Sequence, residues 1–131
     1  MAEGPWWRRL FGSARAVPLD PARPDLVVVA ASFDDAEAAS TALERADRFV
    51  PGDEVVLRHH LRVPAEHVER VCELAGQDGY ARAESGDPGL LLLQRVQVLD
   101  ALHCSQERSR MAGLAQRHDG VAAGWEALQP G

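Results

Sequence analysis

In this 131-residue chain, two cysteines (Cys72, Cys104) and five histidines carry the side chains that could do nucleophilic or metal chemistry. The cysteines form no CxxC, and no HExxH motif or Cys/His cluster accompanies them. Structural zinc needs four ligands at short spacings, so no metal and no cofactor is expected. Both cysteines fall on inward helix faces, where a thiol behaves as a small hydrophobe; a Cys–His pair is the catalytic alternative. His59 and His60 sit in a strand-like stretch and point to opposite faces, so they cannot chelate one ion together. His59 interrupts an apolar face. It reads either as a buried histidine bonded to Gln94, the polar residue of the neighbouring strand, or as a pH- or ligand-sensitive pocket residue. His60 stands between Arg58 and Arg62. That Arg-His-Arg row is suited to a carboxylate- or phosphate-bearing partner, with a solvated face as the alternative. In the polar block 105–110, Glu107 and Arg110 form an i,i+3 surface pair. Arg108 falls on the inward stripe, at an exposed helix end or in a polar pocket. Trp125, behind Gly124, is either a packing residue or the anchor of a protein interface. The glycines compose no phosphate-binding loop. Tyr80 is the sole aromatic on the strands where an RNA-binding sheet needs several.

These residues need a scaffold, and the pattern supplies one. Leu26–Ala31 reads as a buried strand. Asp34 caps a helix over 35–49. Glu54–Val63 alternates, with Val55, Leu57, His59, Leu61 and Val63 inward. Pro64 opens a helix whose inner stripe is Val68, Val71, Cys72 and Ala75. A short strand over 80–84 follows. Then comes a strand over 90–99 with Leu90, Leu92, Gln94, Val96 and Val98 inward. Asp100 caps a helix over 100–118, and 121–128 is the last strand. The order predicts an α+β fold: a ferredoxin-like βαββαβ core over 54–128, with helices on one face of an antiparallel sheet, preceded by an extra strand–helix unit.

Composition sets the frame. Fourteen Arg stand beside no Lys, Asn or Ile, a coding signature of high GC content as in a high-GC bacterium. The formal charge is −6, which disfavours nonspecific nucleic-acid binding. The apolar runs are too short to span a bilayer, and no hydrophobic leader is seen, so a cytoplasmic protein is expected. Residues 1–25 read as an arm, with Trp6-Trp7-Arg8-Arg9-Leu10-Phe11 able to dock on a partner or surface or to fold back on the domain, which spans 26–131.

Three stretches resemble the family of the regulator of ribonuclease E activity B (RraB). They are Val56-Leu57-Arg58-His59-His60-Leu61 with Pro64-Ala65-Glu66; Leu74-Ala75 through Asp78-Gly79-Tyr80; and Met111-Ala112-Gly113-Leu114-Ala115 with Asp119-Gly120 and Gly124-Trp125-Glu126. The resemblance implies a noncatalytic protein that restrains a ribonuclease E-type nuclease by contact. On that reading the partner-binding residues are Arg58, His60, Arg62, Glu107, Arg108, Arg110 and Trp125. The alternative is a small-molecule-sensing domain with a pocket beside His59, Gln94 and Arg108.

Overall fold

The computed structural model describes residues 17–131; the Trp6–Phe11 motif lies outside the described residues. Among the described residues five strands and three α-helices follow in the order β1 (Leu26–Ser32), α1 (Ala39–Glu44), β2 (Glu54–Arg62), α2 (Val68–Gln77), β3 (Ala81–Ala83), β4 (Leu91–Val98), α3 (Ala101–Gln116) and β5 (Val121–Pro130). A 3-10 turn at Ala65–His67 leads into α2. The strands form one antiparallel sheet ordered β1-β5-β2-β4-β3. The fold is α+β.

Residues 17–25 are tied to the sheet. The Leu19 amide donates to Glu54 Oε1 at 2.8 Å, and the Gly131 amide donates to the Asp25 carbonyl at 2.8 Å.

The expected helix over 35–49 is only six residues long. Asp34 accepts the Ala36 amide through Oδ1 at 2.9 Å, which makes a local turn in place of a helix cap. Ala38 is extended, so the helix starts at Ala39. Ala46 and Phe49, inside the expected helix, pack against the core from turns. Asp100 caps α3 as expected, accepting the His103 amide at 2.8 Å.

One face of β2 (Val55, Leu57, His59, Leu61) is buried under the helices, as the alternation predicts. The core has two halves. Ala39 and Ala42 of α1 join Val55, Leu57, Cys104 and Trp125. Val71 and Ala75 of α2 join Leu61, Leu91, Leu93, Met111 and Leu114. The thiols lie in different halves, and both are free.

β4 is turned over relative to the expectation. Its register opposite β2 pairs Leu93 with His59 and Arg95 with Leu57. Residues directly opposite share a face, so Leu91, Leu93, Arg95 and Gln97 face the helices, while Leu92, Gln94, Val96 and Val98 face away. Leu91, Leu92 and Leu93 are all buried, so that end of the strand carries no alternation from which to read its face.

The far face carries two rows that the register lays across the strands. Val28, Leu128, Val56 and Val96 form an apolar row, and Glu126, Arg58 and Gln94 a polar one. Val56 and Leu128 are buried, whereas Val28 and Val98, at the sheet's margins, are half exposed. Beside these rows the Phe33 ring meets His60 edge-on, with centroids 5.0 Å apart. It lies over Gly124, where a Cβ would come within 2.1 Å of Phe33 Cδ1.

Candidate functional site

A cleft of about 460 Å³ opens between the 35–39 segment and the flank of α3. Helical spacing puts Ser105, Arg108, Ser109 and Ala112 on that flank, and all four line the cleft. His59 and Trp125, opposite each other across β2 and β5, also line it. Ala36, Ala38, Ala39, Ala122 and Gly124 supply small apolar walls.

Arg108 bridges the cleft. Its Nη1 donates to the Glu37 carbonyl at 2.6 Å and its Nη2 to the Asp34 carbonyl at 3.3 Å, tying α3 to the loop before α1. Glu37 is held from the other side by Arg45, with hydrogen bonds of 2.7 and 2.8 Å. That Arg45 contact, helped by Ser32, takes the Glu37 carboxyl down to about 2.

Trp125 is 1% exposed, and its Nε1 is the buried polar side-chain atom left without a partner among the described residues. A buried donor without an acceptor costs about 1–3 kcal/mol, so this N–H marks a place where an acceptor is owed.

His59 belongs both to the cleft and to a buried polar chain beneath it. Its Nε2 lies 3.3 Å from the Tyr80 hydroxyl, which donates to Glu107 Oε1 at 2.7 Å. Because the Tyr80 proton goes to Glu107, the Tyr80 oxygen accepts from His59, which fixes the proton on Nε2. Glu107 also receives Arg110 Nε at 3.1 Å and an ion pair from Arg95 at 3.4 Å. Arg95 lies over the Tyr80 ring, 4.7 Å from its centre, and donates to the Asp78 carbonyl at 2.8 Å.

Burial sets the charge states along this chain. Desolvation drives the His59 imidazole down to about 3, against the pull of Glu107, so it is neutral. Burial alone would raise the Glu107 carboxyl, but Tyr80, Arg95 and Arg110 together hold it below its ordinary value. Burial and the Glu107 bond raise the Tyr80 phenol. Burial also pushes the Cys104 thiol up to about 12, far from the thiolate that a nucleophile needs.

The residues picked from sequence therefore divide. His59, Arg108 and Trp125 meet at the cleft. Gln94 does not reach His59: it is on the other face, where it accepts Arg58 Nε at 2.9 Å. His60 Nε2 pairs with Glu126 Oε1 at 2.8 Å, and Arg58 pairs with the other oxygen at 3.4 Å. Arg62 pairs with Asp87 at 2.9 Å on the surface. Trp125 packs in the core and offers no surface for a partner. Glu107, expected as half of a surface pair with Arg110, is buried, because it and not Arg108 lies under the sheet. Arg110 is exposed and also pairs with Asp78 at 3.3 Å.

Sequence reading missed Arg95 and the structural use of Tyr80. The signal was the register: the direct pairing of Leu93 with His59 puts Arg95 on the helix face. Among the described residues no His, Cys, Asp and Glu group is arranged to hold a metal ion, and no helix is long and apolar enough to cross a membrane. No family model, curated protein or solved structure matches this chain.

Proposed function

We propose that this chain is a noncatalytic, RraB-like regulatory domain that acts by contact with another protein, a ribonuclease E-type nuclease being the candidate partner. The strand order β5-β2-β4-β3, with α2 and α3 as the two crossovers, supports a ferredoxin-like core extended by β1 and α1. The observation that carries the reading is the sheet face away from the helices. Its apolar row ends in exposed Val28, exposed Phe33 lies nearby, and the Arg58–Glu126–His60 cluster runs alongside. Apolar side chains around a half-buried polar cluster are a protein-contact arrangement. The raised Cys104 thiol and the neutral, buried His59 support a noncatalytic role.

The test is binding of the purified full chain to a purified ribonuclease E-type nuclease, read by surface plasmon resonance and by RNA cleavage. Saturable binding and slowed cleavage are expected, both weakened at least about tenfold by Phe33→Glu, the loss typical of a contact residue. Neither binding nor inhibition at tens of micromolar overturns the assignment. A second reading, a ligand-sensing domain, is favoured by the cleft beside His59 and Arg108.

A further inference from the structure

We infer that the cleft between α3 and the 35–39 segment is a binding site for a small monocarboxylate with a short apolar body. The inference rests on the ligand-sensing reading and names the ligand's chemistry.

The volume is the first support. At about 460 Å³ the cleft falls within the range of small-molecule sites, roughly 300–1,000 Å³. The second is the donor set. Arg108 has five N–H hydrogens, and its contacts to the Glu37 and Asp34 carbonyls engage two of its nitrogens without neutralising its charge. Ser105 and Ser109 flank Arg108 on the same side of α3, so two hydroxyls and one cation stand together. The third is independent of these: Trp125 lines the same cleft from the sheet and carries the buried N–H that lacks an acceptor.

Charge argues for one carboxylate and against a polyanion. Among the described residues Arg108 is the one cationic side chain lining the cleft, His59 being neutral, and Asp35 and Glu37 are the acidic ones. Glu37 is already neutralised by Arg45, and Asp35 is exposed to solvent. A single negative charge matches Arg108; a phosphate or a dicarboxylate would meet Asp35 with charge to spare. Apart from His59 and Trp125 on the sheet side, the rest of the wall is alanine and glycine, which leaves room for a few methylene groups.

The test is a titration of the full-length 15N-labelled protein followed through the indole N–H resonance of Trp125, assigned by its disappearance in Trp125→Phe. The probes are acetate, butyrate and hexanoate, with butyramide and butylamine as neutral and cationic counterparts. The expected result is a saturable shift with butyrate that exceeds the butyramide shift and is lost in Ala112→Leu, which fills the cleft. Arg108→Gln should weaken butyrate at least about tenfold while leaving butyramide unchanged, as loss of a charge-assisted contact does. Thermal melts of both variants confirm that they fold, and Ser109→Ala serves as a milder second variant. Saturable shifts with butyramide or butylamine but not with the carboxylates overturn the ligand class and leave a ligand-sensing cleft standing. No saturable shift with any probe at tens of millimolar overturns both.

Discussion

Acid should weaken this domain well above the pH at which its carboxylates titrate, and His59 should be the cause. In the folded protein the imidazole is held neutral down to about 3 by burial, against an ordinary value of 6.5. Between those two values the unfolded chain binds a proton that the folded chain does not, so stability falls as the pH drops through that window. The first pH unit below 6.5, where the unfolded imidazole is only partly protonated, costs about 1 kcal/mol and the next about 1.3, so going from pH 6.5 to 4.5 should remove about 2 kcal/mol. That is a large part of the 5–15 kcal/mol, roughly, that keeps a domain folded. The lowered carboxyls of Glu37, Asp25, Asp87, Asp100 and Glu107 act in the same direction but later. Their stabilisation is present above their unfolded values, about 3.9–4.3, and is lost only below them. Urea unfolding at pH 6.5, 5.5 and 4.5 isolates the histidine when wild type is compared with His59→Gln, whose amide can bond Tyr80 but does not titrate. The wild type should lose about 2 kcal/mol more than the variant over that interval. Parallel losses in the two proteins would refute the assignment of a buried neutral His59.

Other substitutions probe the same structure. Tyr80→Phe removes the hydroxyl that joins His59 to Glu107 and should cost about 1.5–3 kcal/mol in urea unfolding, the worth of a buried bond to a charged group. Gly120→Ala puts a Cβ 2.3 Å from the Arg62 carbonyl oxygen and 2.9 Å from Val63 Cα, whereas Gly86→Ala meets nothing within 4 Å. The first should lose roughly 1–3 kcal/mol as an overpacked site does, and the second should stay close to wild type in a thermal melt. Asp100→Ala removes the α3 cap and should cost about 1 kcal/mol. Cys104 should resist a thiol reagent at pH 8 in the native protein and react once urea unfolds it; Cys72, half-buried, should react earlier.

The element order was legible because hydrophobic period and turn residues agree along most of the chain. Alternation over 54–62 set the inner face of β2 correctly, and Asp100 marked the start of α3. Legibility failed where a strand is buried on both sides. Leu90–Leu93 has no alternation to mark a face, and of the set expected inward Leu92, Gln94, Val96 and Val98 lie on the far face. That one-residue error moved Gln94 onto the helix face and hid Arg95, since a slip of one residue exchanges every side chain between faces. The start of α1 failed for a different reason. Asp34 is equally suited to cap a helix or to close a local turn, and its choice depends on Arg108, 74 positions away, which holds the Asp34 and Glu37 carbonyls. The cleft was therefore legible in its parts, His59 and Arg108, but not in its shape.

Glu107 and Arg108 show how the helix period turns one polar block into two kinds of structure. Consecutive residues on a helix point about 100° apart, so when one lies under the sheet the other cannot. Glu107 takes the inward direction at the cost of desolvation, and Tyr80, Arg95 and Arg110 offset that cost with three contacts. Arg108 is directed instead across the gap between α3 and the loop before α1, where two backbone carbonyls hold it. The buried carboxylate needs its cations under the sheet, the guanidinium needs its carbonyls above the gap, and His59 touches both arrangements. Arg108 thus spans the cleft from α3 while its neighbour Glu107 anchors the polar chain beneath, and His59, itself buried, lines the first and bonds into the second.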